Sequence, residues 1–510
     1  MNRIIPYFCL LGVCLTLLTS CQDSQPTIES PDDARRARIG IMTGSTSEFI
    51  MKSQFPLAQV NRFDDVMDAL TALDAGHVDA AIAAYTDVIK LLRKNPQLRI
   101  LPQVLQADNT GVGYRKGDDA LGAEVNAAIA EMRQDGTLDA MDKRWFSPDI
   151  DSYDTVSVPE TTSGVPLRIG VTATREPMSF VDKGGRVSGH EGELARRIAW
   201  KLHRPLEFSD MKFMSLIPAL QSGKIDLIVT GMMATGERKK SINFSDPYYE
   251  LSLRLLVRRP GGAVATSAAA GSASAPGFLA RTRASFYSNI IQEQRYLLLL
   301  NGLKATVVIS VLATLFGTLL GAVICFMRMS TVRALRVPAK VYISILRGMP
   351  VVVLLMLIFY VVFASVDISP VLVAVIAFGM NFGAYVSEMF RTGIEGIDRG
   401  QGEAGTAMGF TRVQTFGFIV LPQMLRRILP VYKGEFISLV KMTSIVGYIA
   451  VEDLTKASDI IRSRTFDAFF PLIMVAVLYF LIAWLLMYGL DYLERLTDPR
   501  HAGGKPGRRV

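Results

Sequence analysis

Four stretches of the chain, 305–327, 348–366, 368–387 and 468–490, contain no Asp, Glu, Lys or Arg. Each is long enough to cross about 30 Å of hydrocarbon as a helix. A fifth candidate, 428–450, is interrupted by Lys433, Glu435 and Lys441, charges that are costly in a bilayer unless paired or turned to a cavity. The whole chain of 510 residues is 50% hydrophobic and 20% charged. That is fewer charges than a soluble domain carries and more than a pure bundle would. The average is therefore a blend of a membrane part and a soluble part.

The basic residues orient the spans. Arg328, Arg333, Arg336, Lys340 and Arg347 follow the first. Arg391, Arg399, Arg412, Arg426 and Arg427 follow the third, and Arg495, Arg500, Lys505, Arg508 and Arg509 follow the last. The loop after the second holds only Asp367. The positive-inside rule puts the three basic groups in the cytoplasm. Residues 22–295 then lie outside and the C-terminus inside, which needs an odd number of crossings and counts 428–450 as a fifth span. Much of the net charge of +8 is thereby topological, and no run of nucleic-acid-binding type is present.

The chemistry of a self-contained enzyme is missing. The cysteines are Cys9, Cys14, Cys21 and Cys325, so 22–324 has no disulfide framework. There is no HExxH or CxxC spacing for zinc and no G-x-x-x-x-G-K-[ST] or G-x-S-x-G. No catalytic or metal-ligating residue is assigned, and no cofactor is expected in this chain.

Between the third and fourth spans the chain reads Glu403-Ala404-Gly405, then Gly409, then Ile419 and Leu421-Pro422. This resembles the EAA loop of ABC-transporter membrane subunits. Ala384-Tyr385, Glu388 and Arg391 are similar to the AYxxExxR pattern of the polar amino-acid branch, Arg347-Gly348 and Pro350 to its RGxP, and Lys441-Met442-Thr443-Ser444 to its KDTS, with Met442 in place of Asp. The resemblance covers about 295–495. It implies an importer subunit whose 403–422 segment sits in a groove of a separate ATPase. Two ATP-binding subunits would hold ATP and Mg, and a homodimer would supply the two membrane halves. Gly409 lets two backbones approach or the chain turn, and Pro422 starts a new element.

Outside, 37–146 and 166–259 alternate apolar strands such as ARIGIM, VDAAIAAY, LRIGVTA and IDLIVTGM with helical patterns, which predicts α/β lobes with parallel sheets. Leu167–Val171, Pro177 with Phe180, 216–220, Gly223-Lys224-Ile225-Asp226, Gly231-Met232, Glu237-Arg238 and 244–249 resemble the first half of polar amino-acid solute-binding proteins. IGIMTGST, Val78-Asp79-Ala80-Ala81, Gly136-Thr137-Leu138 and Trp145-Phe146 resemble the second. The halves stand in reversed order, as in a circularly permuted two-lobe domain. Two separate incomplete lobes are the alternative.

The fold class is thus a two-lobe α/β domain followed by an all-α bundle of about five helices. The expected divisions are a signal at 1–21, a tether at 22–36, the segments 37–146 and 166–259 joined by 147–165, a linker of small residues at 260–285, the transmembrane domain at 286–495 and a tail at 496–510. As a flexible coil, 261–277 reaches roughly 22 Å.

The resemblance also implies a ligand cleft. Arg238 matches the arginine that grips an α-carboxylate with two parallel hydrogen bonds, Gly231 and Thr235 its neighbours, Phe180 a further ligand-binding position, and Ser45 and Thr46 the hydroxyl loop of the facing lobe. Three positions depart: Arg175 stands for a stacking aromatic, Met233 for a Ser/Thr, and Ala84 for the Asp that holds the ammonium. The expectation is a ligand more anionic than a plain zwitterion, facing Arg175 and Arg238, unless Asp87 or Tyr85 replaces the missing group. At the N-terminus, Leu18-Thr19-Ser20-Cys21 resembles a lipobox with Cys21 lipidated, in a bacterial inner membrane, an uncleaved anchor being the other reading. A ligand-responsive receptor or regulatory membrane protein is the competing function. A channel would need a pore loop such as TVGYG, and none is present.

Overall fold

The computed structural model describes residues 27–147, 157–259, 278–465, 467 and 469–497. The signal with Cys21, part of the 147–165 segment, the 260–277 stretch and the tail beyond 497 lie outside the described residues. Two compact units form: Met1–Asp108 with Glu250–Ala273, and Asn109–Tyr249 with Ser274–Val510.

The first unit is built on a five-stranded sheet in the order Gln59–Phe63, Arg38–Met42, Ala80–Ala84, Tyr249–Arg258, Leu98–Thr110. Arg38–Met42 runs parallel to both its neighbours. Tyr249–Arg258 comes from the far end of the second α/β segment and pairs antiparallel with Ala80–Ala84, Leu253 opposite Ala84. Every residue of Ala80–Ala84 is buried, as expected of a central strand covered on both faces. Asp79, just before it, receives Arg38 at 2.7 Å. Arg258 donates to the Val78 carbonyl at 2.9 Å, so the late strand is locked to the early one by side chains as well as by its ladder.

The α/β lobe of the second unit has the sheet Leu206–Asp210, Leu167–Val171, Leu227–Ile228, Gly113–Tyr114, Asn243–Phe244, and a small sheet Thr174–Arg175, Ser179–Val181, Val187–Ser188. Here too one strand crosses between segments: Gly113–Tyr114 lies between Leu227–Ile228 and Asn243–Phe244. Helices Asp119–Gln134 and Thr137–Phe146 add Val125, Ile129, Met132, Leu138, Met141 and Trp145 to a core with Leu167, Ile169, Leu194 and Ile198. Each five-stranded sheet therefore draws on both segments, and only the small sheet is built from one of them.

Glu193, on helix His190–Lys201, holds this core to its covering helices. It accepts from Trp145 Nε1, Arg144 and Arg197 at 2.8, 2.8 and 2.7 Å. Burial raises its carboxyl, but the Trp145 and Arg197 hydrogen bonds and the Arg197 and Arg144 charges outweigh that and leave it below the usual range. The folded pKa is thus depressed. The stabilisation is full above the unfolded value of about 4.3 and is lost as pH falls through the folded value. Glu193→Gln should lower the melting point of the full chain at pH 7, the loss of one buried partner costing about 3–5 kcal/mol. It should also flatten the decline in melting temperature below about pH 4.3. Equal acid slopes in the two proteins would refute this role.

Among the described residues of the bundle, three helices are long and apolar enough to cross a membrane, Tyr296–Met329, Pro370–Glu395 and Phe470–Gly489, and up to five if each bent pair is one span. The bent pairs are Arg333–Gly348 with Val351–Val362, at 112°, and Arg412–Ile449 with Leu454–Thr465, at 58°. The second predicted span therefore starts after Pro350, and the basic stretch before it is itself helical. Lys433, the charge that spoils the hydropathy of 428–450, is buried and meets Asp491 of the last helix at 2.5 Å. Tyr296–Met329 and Pro370–Glu395 cross on glycines. A Cβ on Gly317 would stand 2.6 Å from the Gly379 carbonyl, and one on Gly383 3.0 Å from the Gly317 carbonyl. Small residues four apart permit such backbone approach between membrane helices.

Candidate functional site

At one end of the bundle the 403–422 segment folds as a helix, a turn and a second helix. Asp398 accepts the Gly400 N–H at 2.7 Å and starts helix Arg399–Ala407. Thr411 caps the next, Arg412–Thr415, with Gln414 returning the bond to the Thr411 N–H at 2.9 Å. A wide helical turn, Phe416–Val420, leads into Leu421–Met442. Pro422 falls in the first turn of that helix, where a missing N–H costs nothing.

The two roles considered for Gly409 separate here. Gly409 has φ +85° with open space around it, so it makes the turn. The close approach belongs to Gly405, which is buried, with its Cβ site 2.9 Å from Ile419 Cδ1 and Thr415 Cγ2. That contact clamps the first helix on the second. Glu403 and Ala404 face solvent, and beside them Met408 is 78%, Val413 81% and Phe418 72% exposed. Large apolar groups clustered on a protein surface mark an interaction site.

The neighbouring motifs meet in space. Arg391 pairs with Glu388 at 2.7 Å and Glu395 at 2.5 Å. Arg328 lies 3.6 Å from Glu388, and the Arg347 guanidinium lies 4.9 Å over the Tyr385 ring. The Asn381 amide donates to the Leu346 carbonyl at 2.9 Å. Thus the segment holding Arg347-Gly348 and the helix holding Tyr385, Glu388 and Arg391 are braced together.

The sequence-assigned ligand residues fall on both units. In the second, Gly231 has φ +57°, and its N–H donates to the Tyr248 hydroxyl at 3.1 Å. A Cβ there would meet Glu191 Oε1 at 2.9 Å. Thr235 caps the short helix Gly236–Ser241 by accepting from the Arg238 N–H. The Arg238 guanidinium donates to the Met233 carbonyl at 3.0 Å and lies 5.4 Å over the Phe213 ring. Burial pushes its pKa down to about 10, so it stays cationic at neutral pH. The Met233 side chain is buried.

Arg175 is placed otherwise than an anion-facing group would be. It is 4% exposed, pairs with the fully buried Glu191 at 3.3 Å and donates to the Thr230 carbonyl at 2.7 Å. Its charge is balanced inside the lobe, and it braces the turn carrying Gly231. Phe180 belongs to the apolar core, edge-on to Trp145 at 6.2 Å.

In the first unit, the Ser45 hydroxyl donates to the Met42 carbonyl at 2.6 Å, and Thr46 stands at the N-cap of helix Ser47–Gln54 without a side-chain capping bond. Ala84 ends its strand buried, directly before helix Tyr85–Lys94. Tyr85 is partly exposed, Asp87 is buried in the first turn, and the buried Thr86 hydroxyl makes no hydrogen bond. Sequence reasoning did not pick out Glu191, whose type and place beside Arg175 are visible only in three dimensions. It also passed over Thr86.

A two-lobe α/β architecture, joined to a bundle that carries this clamped segment, defines a solute receptor fused to a transporter's membrane subunit. The family described as bacterial extracellular solute-binding proteins, family 3, matches residues 51–148 and 167–434, and the chain belongs to it. Its helical region is homologous to amino-acid ABC permeases. The L-cystine transport system permease protein TcyB of Bacillus subtilis (strain 168) is 36% identical over 212 residues, 41% of this chain and 91% of that protein. The glutamine transport system permease protein GlnP of Escherichia coli (strain K12) is 35% identical over 201 residues, 39% of this chain and 92% of that protein. A crystal structure of an amino acid ABC transporter with histidines matches at a TM-score of 0.37 with 32% identity, over 44% of this chain and 99% of that one.

Proposed function

We propose that this chain is the membrane subunit of an ATP-driven importer for polar amino acids or related small carboxylates, carrying its own receptor on the outside. The observation that carries the reading is the 403–422 segment: a glycine-clamped helix pair whose exposed apolar tips offer an ATPase a firm surface. Two ATP-binding subunits, with their ATP and Mg, would dock there, and a second copy of the chain would complete the pathway. In this reading the receptor is a permuted two-lobe domain, residues 22–295 lie outside a bacterial inner membrane, Cys21 anchors the N-terminus by lipid, and the C-terminus is cytoplasmic.

Arg238 is the carboxylate-binding group of this reading. With Arg175 neutralised by Glu191, the reading assigns one carboxylate to Arg238, which fits an amino acid better than a dianion. Isothermal titration of the purified full chain against the twenty amino acids and a set of dicarboxylates tests this. One or a few amino acids should bind, and Arg238→Ala should weaken them by tenfold or more, the loss of a charge-assisted hydrogen bond being worth about 1.5–3 kcal/mol. Preference for a dicarboxylate, or unchanged binding in the variant, would reject the assignment. The transport claim is read separately, in vesicles holding the chain and ATP-binding subunits, where uptake of the bound amino acid must require ATP.

A further inference from the structure

Helix Leu454–Thr465 of the bundle lies on the small sheet of the 109–249 lobe, against Thr174–Arg175 and Ser179–Val181. Its Lys456 is 3% exposed and reaches Asp210 at 3.0 Å. Asp210 ends the edge strand Leu206–Asp210 and also accepts the Ala173 N–H at 3.0 Å. Around this pair stand further contacts. Lys212 meets Asp459 at 3.4 Å, and Lys224 donates to the Val366 carbonyl at 2.6 Å. Lys183 lies 3.6 Å from Glu293, which also receives Arg295 at 2.7 Å and Arg464 at 2.5 Å. Ile460, 1% exposed, enters the lobe's apolar core with Phe180 and Val181.

A lobe that visits the bundle only in passing would meet it through hydrated rim charges. Here an apolar side chain and an ion pair are desolvated, alongside the more exposed ion pairs of Lys212 and Lys183, and buried anchors of this kind mark a firm interface. A desolvated pair needs further hydrogen bonds to support it; Asp210 Oδ1 accepts from Ala173 N–H and from Lys456, while its buried Oδ2 lies 3.0 Å from the Lys456 ammonium without a hydrogen bond of its own.

We propose that the 109–249 lobe is a standing part of the bundle, held by Lys456 and Asp210, and is not merely carried on the 260–277 linker. This rests on the outer domain being the importer's receptor, but its test reads attachment alone, so either claim can fail while the other stands.

A protease site is placed in 260–277 and an affinity tag at the C-terminus of the full chain. The protein is purified in detergent, cut, washed and examined for the receptor fragment. The wild-type fragment should stay on the tagged bundle. Lys456→Asp, which leaves the receptor sequence untouched, and Asp210→Lys should each release at least tenfold more of it, and the double variant should restore retention. Wild-type receptor that washes away on cutting overturns the proposal. So do single variants that hold as firmly as wild type, or release that the double variant fails to reverse.

Discussion

Gly405→Leu stops uptake while solute binding by the same protein stays intact. The Cβ site at Gly405 already lies 2.9 Å from both Ile419 Cδ1 and Thr415 Cγ2. A leucine there must push helix Arg399–Ala407 off the 412–420 stretch. Overpacking of this kind costs about 1–3 kcal/mol, enough to unseat the surface proposed to seat an ATPase. ATP-dependent uptake by vesicles should fall by about tenfold or more, since each 1.4 kcal/mol is tenfold, with the titration of solute against the detergent-solubilised chain unchanged. Gly409→Val, strained at φ +85° but unopposed, should reduce uptake less. Uptake within twofold of wild type in Gly405→Leu would remove the clamp from the mechanism.

The second large effect falls on the bundle itself. In Gly317→Leu the new side chain meets the Gly379 carbonyl and the Phe382 ring, and a backbone carbonyl cannot step aside. The two helices must separate, and with them the packing on which the spans depend. The variant should be recovered from membranes at a small fraction of wild-type yield and elute as aggregate on size exclusion. Gly489→Leu, in the last helix with nothing near its Cβ site, should elute as wild type. A monodisperse Gly317→Leu protein would mean that the glycine crossing is dispensable.

The apolar runs made three helices legible as spans, while 428–450, counted as a fifth by the parity of basic loops, lies in a bent helix pair that is one span only if its two arms are taken together. What hydropathy could not supply was the partner of Lys433, because Asp491 lies on another helix. The glycine crossing was hidden for a related reason: Gly317, Gly321, Gly379 and Gly383 lie within runs already apolar, where spacing of small residues leaves no trace in an average. In the 403–422 segment the motif spacing picked out both Gly405 and Gly409, yet could not divide turn from close approach between them.

The ligand residues were harder. Alignment by type put Arg175 and Phe180 on the binding face. The fold puts both inside, because Glu191 neutralises Arg175 and Trp145 takes up Phe180. The exchange of strands Gly113–Tyr114 and Tyr249–Arg258 between sheets is a long-range pairing, which local patterns do not encode.

Helix Leu421–Met442 is 22 residues long and starts where Pro422 leaves the clamped segment. It passes through Thr443–Ile449 to Ala450, whose φ of +60° makes the elbow before Leu454–Thr465. At 1.5 Å per residue this is a rod of about 33 Å. A tilt of about 5° at its Pro422 end would sweep the far end sideways by roughly 3 Å for that rise. The Lys456–Asp210 contact is itself 3.0 Å long. Were the helix to turn as a rigid rod, a movement barely visible at the Pro422 end would equal a whole hydrogen-bond length at the other.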